Sequence, residues 1–255
     1  MTRVRGFAIW RAFENHSPNE QERERLSTGL AALSRHPDDQ LGRVDFRQGA
    51  LAAFGLDGDV SANGGIDLVA SPRESLVNLA ADPDALSATT GTFAALSATK
   101  DALDLATDRF GVRPVWWYRD QVKFAAATSL RVLKEMLGSD APPDEDAIAA
   151  FAALGYWIGD ASPWRGIKRL RGGERLSVAH DVILSRWTDW SHIAPQPLAY
   201  DECVDALAHA VRAAIGRRVQ EDTAHAALSG GLDSRLVVAG LRQANVSVST
   251  TCIGP

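Results

Sequence analysis

The sequence predicts two architectures in one chain. Residues 1 to about 190 read as an α+β part built on antiparallel strands, and residues 199–255 as the start of an α/β parallel-sheet unit. Three observations carry this. Short apolar runs separated by turn residues recur along the first part, which is the pattern of hairpin-built sheets. Between Ala224 and Leu241 an apolar run, a glycine-rich loop and a helix-periodic stretch follow one another, which is the pattern of a strand–loop–helix unit. Ser191 to Leu198, with two prolines, lies between them as the expected linker.

The first part justifies its elements in order. Arg5 to Trp10 is a first strand and Gln21 to Leu33 a helix; Arg43–Phe46 and Ala50–Phe54 pair as a hairpin across Gly49. Asp67–Ala70 is a further strand. Ser71-Pro72-Arg73-Glu74 supplies an N-cap, a proline at the first helical position and an acid at the third, announcing a helix to about Ala80. Four strands follow, Thr92–Ala98, Ala102–Thr107, Val115–Tyr118 and Val122–Ala126, with turns at Lys100-Asp101, Gly111 and Arg119-Asp120. Trp116 and Trp117 fall on opposite faces of their strand, and the seven tryptophans are read as core filling. Ser129 caps a helix closed by Gly138, and Asp144 caps an apolar helix to Ala153. Ser162-Pro163-Trp164 and Gly172-Gly173 are loop signals, and a hairpin runs Arg175–Val178 and Val182–Trp187.

The second part opens with an amphipathic helix, Tyr200 to Val219, with Val204, Leu207, Ala208, Val211 and Ile215 on one face. Ala226-Ala227-Leu228 is expected as a short buried strand. Leu236-Val237-Val238 and Leu241 are expected on the core face of a helix, and Val246 to Cys252 as a closing strand.

Composition bounds the function. The 255 residues are 45% hydrophobic, with net charge −5 and pI near 5.7, and contain no long basic block. Nucleic acid and anionic membrane are therefore not expected as partners. The two cysteines, Cys203 and Cys252, are too few for a zinc site, and the six histidines show no metal-ligand spacing. Only five uncharged residues separate Arg5 from Arg11, too few for a signal-peptide core, so a cytoplasmic location is expected.

Chemistry concentrates in Ser229-Gly230-Gly231-Leu232-Asp233-Ser234. Two glycines permit a nest of backbone N–H groups, and the helix that follows points its positive end at it. Ser229 and Ser234 add hydroxyls, and Asp233 one carboxylate suited to Mg²⁺. The ligand expected is an inorganic anion of the pyrophosphate kind. A plain tight turn is the alternative reading, and the loop is not a Walker A loop, because no lysine follows the glycines.

This string resembles the pyrophosphate loop of the N-type ATP pyrophosphatases, and within them the asparagine synthetase group. Four more stretches are similar to that group, in its order. They are Thr90-Gly91-Thr92-Phe93-Ala94; Asp108-Arg109-Phe110-Gly111-Val112-Arg113-Pro114-Val115; Ser162-Pro163-Trp164-Arg165-Gly166-Ile167 with Leu170-Arg171-Gly172-Gly173; and Thr250-Thr251-Cys252-Ile253-Gly254.

The resemblance implies a glutaminase-like domain of the N-terminal-nucleophile type over residues 1–190, a four-layer αββα sandwich. After the linker it implies the N-terminal part of an ATP pyrophosphatase domain. The family's nucleophile is a cysteine directly after the initiator methionine, and here that position is Thr2. The family's substrate-holding strings have only distorted counterparts, Arg35-His36-Pro37-Asp38 and Asn63-Gly64-Gly65. A dead glutaminase retained as scaffold is therefore expected, with Thr2 an ordinary residue rather than a nucleophile using its own α-amino group.

By the same resemblance ATP and Mg²⁺ are the expected cofactors. Ser229, Gly230, Gly231, Leu232 and Ser234 are expected around the pyrophosphate, Asp233 at the metal, and Leu228 and Ile253 beside the adenine. Adenylation of a carboxylate followed by amide closure is the implied reaction, of the lasso-peptide macrolactam or β-lactam type. The partners implied are a small molecule or peptide bearing a carboxylate, a precursor peptide and its peptidase. The alternatives are a glutamine-hydrolysing asparagine synthetase and a non-catalytic interaction protein. Because the sequence ends at Pro255, soon after the strand Val246–Cys252, a missing C-terminal segment or partner subunit is expected to carry the main catalytic groups and to cover the second part's apolar faces.

Overall fold

The structure is a computed structural model. It describes residues 6–13, 19–31, 41–46, 49–54, 66–69, 79–99, 102–179, 181–188, 190–191, 193–219 and 221–252. The chain divides into two compact units, Met1–Ser191 and His192–Pro255.

Unit 1 contains, in order, β1 (Gly6–Ala12), α1 (Glu20–Ala31), β2 (Leu41–Phe46), β3 (Gly49–Phe54), β4 (Ile66–Val69), α2 (Pro83–Ala88), β5 (Ala94–Ala98), β6 (Leu103–Thr107), β7 (Val115–Arg119), β8 (Lys123–Ala127), α3 (Leu130–Leu137), α4 (Glu145–Leu154), β9 (Lys168–Leu170), β10 (Glu174–Val178) and β11 (Val182–Arg186). The strands form two antiparallel sheets. One has six strands in the order β2-β3-β1-β8-β7-β9, and the other five in the order β11-β10-β6-β5-β4. Both expected hairpins form, with Phe46 pairing Gly49 and Val178 pairing Val182. Two of the expected turns also join paired strands, Ala98 with Leu103 and Arg119 with Phe124, whereas the Gly111 turn carries the chain from β6 in one sheet to β7 in the other.

Alternation along the strands builds layers. Phe7 and Ile9 of β1, Phe124 and Ala126 of β8, Leu96 of β5, Leu105 of β6 and Leu176 of β10 share one buried cluster, the core between the two sheets. Ala8, Trp10 and Ala12 of β1 face the other way, where Val132, Leu133, Met136 and Leu137 of α3 cover them. Leu86 of α2, with Leu79 and Ala80, covers Ala95 and Ala106 on the outer face of the five-stranded sheet. The order is helix, sheet, sheet, helix, as expected for the sandwich. Trp116 and Trp117 part as expected, the first to the α3 side and the second toward the inter-sheet core. Core filling does not hold for every tryptophan, since Trp190 is exposed.

Helix starts follow local chemistry. Asn19 and Glu22 bond each other's backbone N–H at 2.9 and 3.0 Å, a capping box at the head of α1. Asp144 accepts the Ala147 N–H as the expected cap of α4. Ser129 occupies the cap position of α3, but its hydroxyl makes no cap bond. α2 was not anticipated, although Asp82 caps it and Pro83 opens it. Of the helix expected over Ser71 to Ala80, residues 71–78 lie outside the described residues, and Leu79–Ala81 form a turn.

Unit 2 contains α5 (Tyr200–Arg218), β12 (Thr223–Ala227), α6 (Leu232–Gln243) and β13 (Ser247–Thr251). β12 and β13 pair in parallel, Thr223 opposite Ser247 through Ala227 opposite Thr251, with α6 as the crossover. Ile215 of α5 seats on Gly240 of α6, and Arg212 Nε donates to Gln243 Oε1 at 3.2 Å. The expectation of a buried strand fails here. β12 alternates between half-buried and exposed residues, because β13 is its one partner strand among the described residues. On α6 Leu241 is buried as expected, whereas Leu236 and Val237 are exposed. No helix among the described residues is long and apolar enough to cross a membrane.

Candidate functional site

The loop joining β12 to α6 holds the residues expected to bind an anion. Leu228 leaves the strand with its N–H on Thr251 O at 2.9 Å, so the loop begins while the chain is still tied to β13. Gly230 takes φ +78°, a conformation that suits glycine. Gly231 is the N-cap of α6 and brings no side chain to cap it. The N–H groups of Gly231, Leu232, Asp233 and Ser234 have no acceptor among the described residues. They form an open donor set at the positive end of a twelve-residue helix.

The two serines meet across this turn. Ser234 Oγ donates to Gly231 O at 3.1 Å and accepts from Ser229 N–H and from Ser229 Oγ, both at 3.3 Å. The structure thus brings Ser229, Gly230, Gly231 and Ser234 together. Asp233 lies in the first helical turn, exposed and without a partner among the described residues. Leu232 is exposed. Leu228 stands at the strand exit, and Ile253 lies outside the described residues.

Arg235 is the participant that the sequence did not single out. Its Nε and Nη2 both donate to the Gly230 carbonyl, Nε at 3.2 Å. The available signal was charge, since this cation directly follows a loop whose one charged residue is Asp233.

Magnesium suits this donor set in one way. No cluster of three or more metal-type ligands exists among the described residues. A single carboxylate matches the habit of Mg²⁺, which is held by one or two carboxylates together with the substrate's own phosphates. Asp233 would be its protein ligand.

In unit 1 the singled-out strings converge on structure. Asp108 is fully buried, and its carboxylate accepts N–H groups from Phe93, Phe110, Val112 and Arg113 at 3.0 to 3.2 Å. Its backbone carbonyl accepts from Gly111 and from Gly173. A Cβ on Gly172 would stand 2.6 Å from the Phe110 carbonyl carbon, so the two glycine-bearing strings pack backbone to backbone. Thr2, Arg35 to Asp38 and Asn63 to Gly65 lie outside the described residues. Unit 1 has no cysteine, since both cysteines follow residue 191.

Two antiparallel sheets between helices, bound at one end by the Asp108 turn, set the frame for comparison. Residues 73–188 match the glutamine amidotransferase domain family. That stretch of unit 1 resembles a glutamine amidotransferase domain, and the match ends before the loop. Among solved structures the chain is similar to glutamine phosphoribosylpyrophosphate amidotransferase from B. subtilis, complexed with ADP and GMP. The TM-score is 0.42 at 12% identity, over 98% of this chain and 68% of that one. A structure described as the allosteric regulatory enzyme of purine biosynthesis gives the same values, 0.42, 12%, 98% and 68%. A glutamine aminotransferase class-II domain protein from Silicibacter pomeroyi gives 0.31 at 10% identity, over 72% and 96%. The search of curated proteins found no match.

Proposed function

We propose that this chain belongs to an ATP-dependent amide-bond-forming ligase that adenylates a carboxylate, its amidotransferase-like domain serving as scaffold. One observation carries the reading. The Ser229–Ser234 loop combines two mutually bonded hydroxyls with N–H groups and a carboxylate that have no partner among the described residues, at the start of α6, between two parallel strands. Ser229, Gly230, Gly231 and Ser234 hold the departing pyrophosphate. Leu232 lies in the same turn, Asp233 would hold the Mg²⁺, which supplies neutralising charge to the phosphates, and Leu228 with Ile253 would flank the adenine.

The amine is the second choice to be made. A thiolate is what glutamine hydrolysis in this family uses, and unit 1 contains no cysteine. The amine is then supplied by the substrate, and ring closure of a peptide or small molecule, of the macrolactam or β-lactam type, is the favoured product. A precursor peptide and its peptidase fit that reading as partners, as does a further segment or subunit that completes the site. The family match over residues 73–188 favours one other reading, a glutamine-hydrolysing asparagine synthetase.

ATP–pyrophosphate exchange tests the proposal, with peptides carrying side-chain carboxylates and with aspartate as acceptors. Exchange with a peptide that is lost in Asp233→Ala supports it, with a fall on the order of 10²–10³ for one electrostatic contact to the leaving group. Exchange with aspartate that depends on glutamine moves the assignment to asparagine synthetase. Normal exchange by Asp233→Ala removes the loop from the chemistry.

A further inference from the structure

We infer that Arg235 is a positioning residue that sets the pyrophosphate loop in its anion-receiving shape; this rests on the reading just proposed. The loop has a weakness that its glycines create. Gly230 sits at φ +78° beyond the end of β12, and no backbone N–H among the described residues donates to its carbonyl. A glycine peptide without a partner is free to flip. Arg235 removes that freedom by placing two guanidinium N–H groups on this one carbonyl.

The consequence follows from peptide geometry. The Gly230–Gly231 bond is trans, so its C=O and N–H point in opposite directions. Holding the Gly230 carbonyl on the guanidinium aims the Gly231 N–H away from it, where it joins the open N–H groups of Leu232, Asp233 and Ser234. A flipped peptide would instead present a carbonyl oxygen to the anion. The charge argues in the same direction. Asp233 leaves the loop itself at −1, and Arg235 cancels this two residues later, before any metal binds. Arg235 is exposed, so it does not serve a core.

The test uses the 255-residue chain, with magnesium pyrophosphate as the probe. Calorimetry measures affinity, and amide NMR with labelled glycine follows Gly231. Arg235→Met should keep the α6 amide pattern, show a displaced Gly231 resonance before any ligand is added, and bind about tenfold more weakly or worse, the scale of a lost charge-assisted pair. Arg235→Lys restores the charge without the fork, and should recover affinity only in part. Unchanged affinity in Arg235→Met overturns the inference and leaves the pyrophosphate reading standing. Weakened affinity with an undisplaced Gly231 amide also overturns it, reducing Arg235 to a through-space charge. A wild-type chain that does not bind magnesium pyrophosphate overturns the reading itself.

Discussion

Asp108 Oδ2 accepts the Phe93 amide at 3.2 Å, closing the open end of the β5–β6 hairpin with a buried charge. Each carboxylate oxygen of Asp108 serves two backbone donors: Phe93 and Arg113 on one, Phe110 and Val112 on the other. Asparagine would turn one oxygen into a donor facing two donors. Asp108→Asn should therefore destabilise unit 1 by roughly 3 kcal/mol, the scale for buried bonds to a charged group. Urea unfolding followed by tryptophan fluorescence reads this. A loss below about 1 kcal/mol would show that the turn holds without the carboxylate.

Alkaline pH should loosen the α3 side of unit 1. The Tyr118 phenol is pushed up to about 12 by burial, by the Asp120 charge and hydrogen bond, and by the Asp140 charge. In the unfolded chain it ionises near 10.0, so the folded state keeps the proton longer and stability falls as pH rises from 10 to 12. Lys123 acts in the same direction. Burial lowers its pKa, but the bond and charge of Asp140, with Asp120 and Glu22, outweigh burial and raise it above 10.5. Its contribution is complete below that value and is lost as pH rises through the folded pKa. Urea midpoints across this range should fall less steeply in Tyr118→Phe than in the wild type. Equal slopes would contradict the assignment to Tyr118.

The two loop glycines should separate conformation from ligand access. Gly230 has open space where a Cβ would sit, but its φ of +78° strains any other residue, so Gly230→Ala should cost about 1–2 kcal/mol. Gly231 has φ −74°, and a Cβ there would meet only Ser229 Oγ, at an ordinary 3.5 Å. Gly231→Ala should cost under about 1 kcal/mol, the scale of a weakened N-cap. Yet its methyl would stand beside the Ser229 hydroxyl in the donor cradle, and magnesium pyrophosphate should bind markedly more weakly. Thermal melts and pyrophosphate titration of the two variants decide this. An alanine at 231 with full affinity would place the anion elsewhere.

Glutamine should not be turned over. Unit 1 has no cysteine, so incubation with glutamine should release no ammonia above the uncatalysed rate, and Thr2→Ala should leave ATP–pyrophosphate exchange unchanged. Ammonia release abolished by Thr2→Ala would make Thr2 the nucleophile and favour the asparagine synthetase reading.

Much of unit 1 was legible in the sequence, because its signals are local. Turn residues fix where β7 and β8 or β10 and β11 reverse, and period-two alternation sends Trp116 and Trp117 to opposite faces. The loop string of unit 2 was legible for the same reason, since glycines, hydroxyls and helix start are consecutive. α2 escaped because it is only six residues long, although Asp82 and Pro83 carry the same start signal as Ser71 and Pro72. Which sheet each hairpin joins was decided by tertiary structure alone. β5–β6 and β7–β8 are neighbours in sequence but lie in different sheets, and β1 pairs with both β3 and β8, the latter more than a hundred residues away. Such pairings depend on which apolar faces find each other across a shared core, and no local window contains that. The Arg235 contact with Gly230 spans five residues and was still unreadable, because it depends on the direction in which the Gly230 carbonyl faces in the assembled loop. Residue types and turns are written in order along the chain; the direction in which one peptide faces is set only when strand, loop and helix are assembled around it.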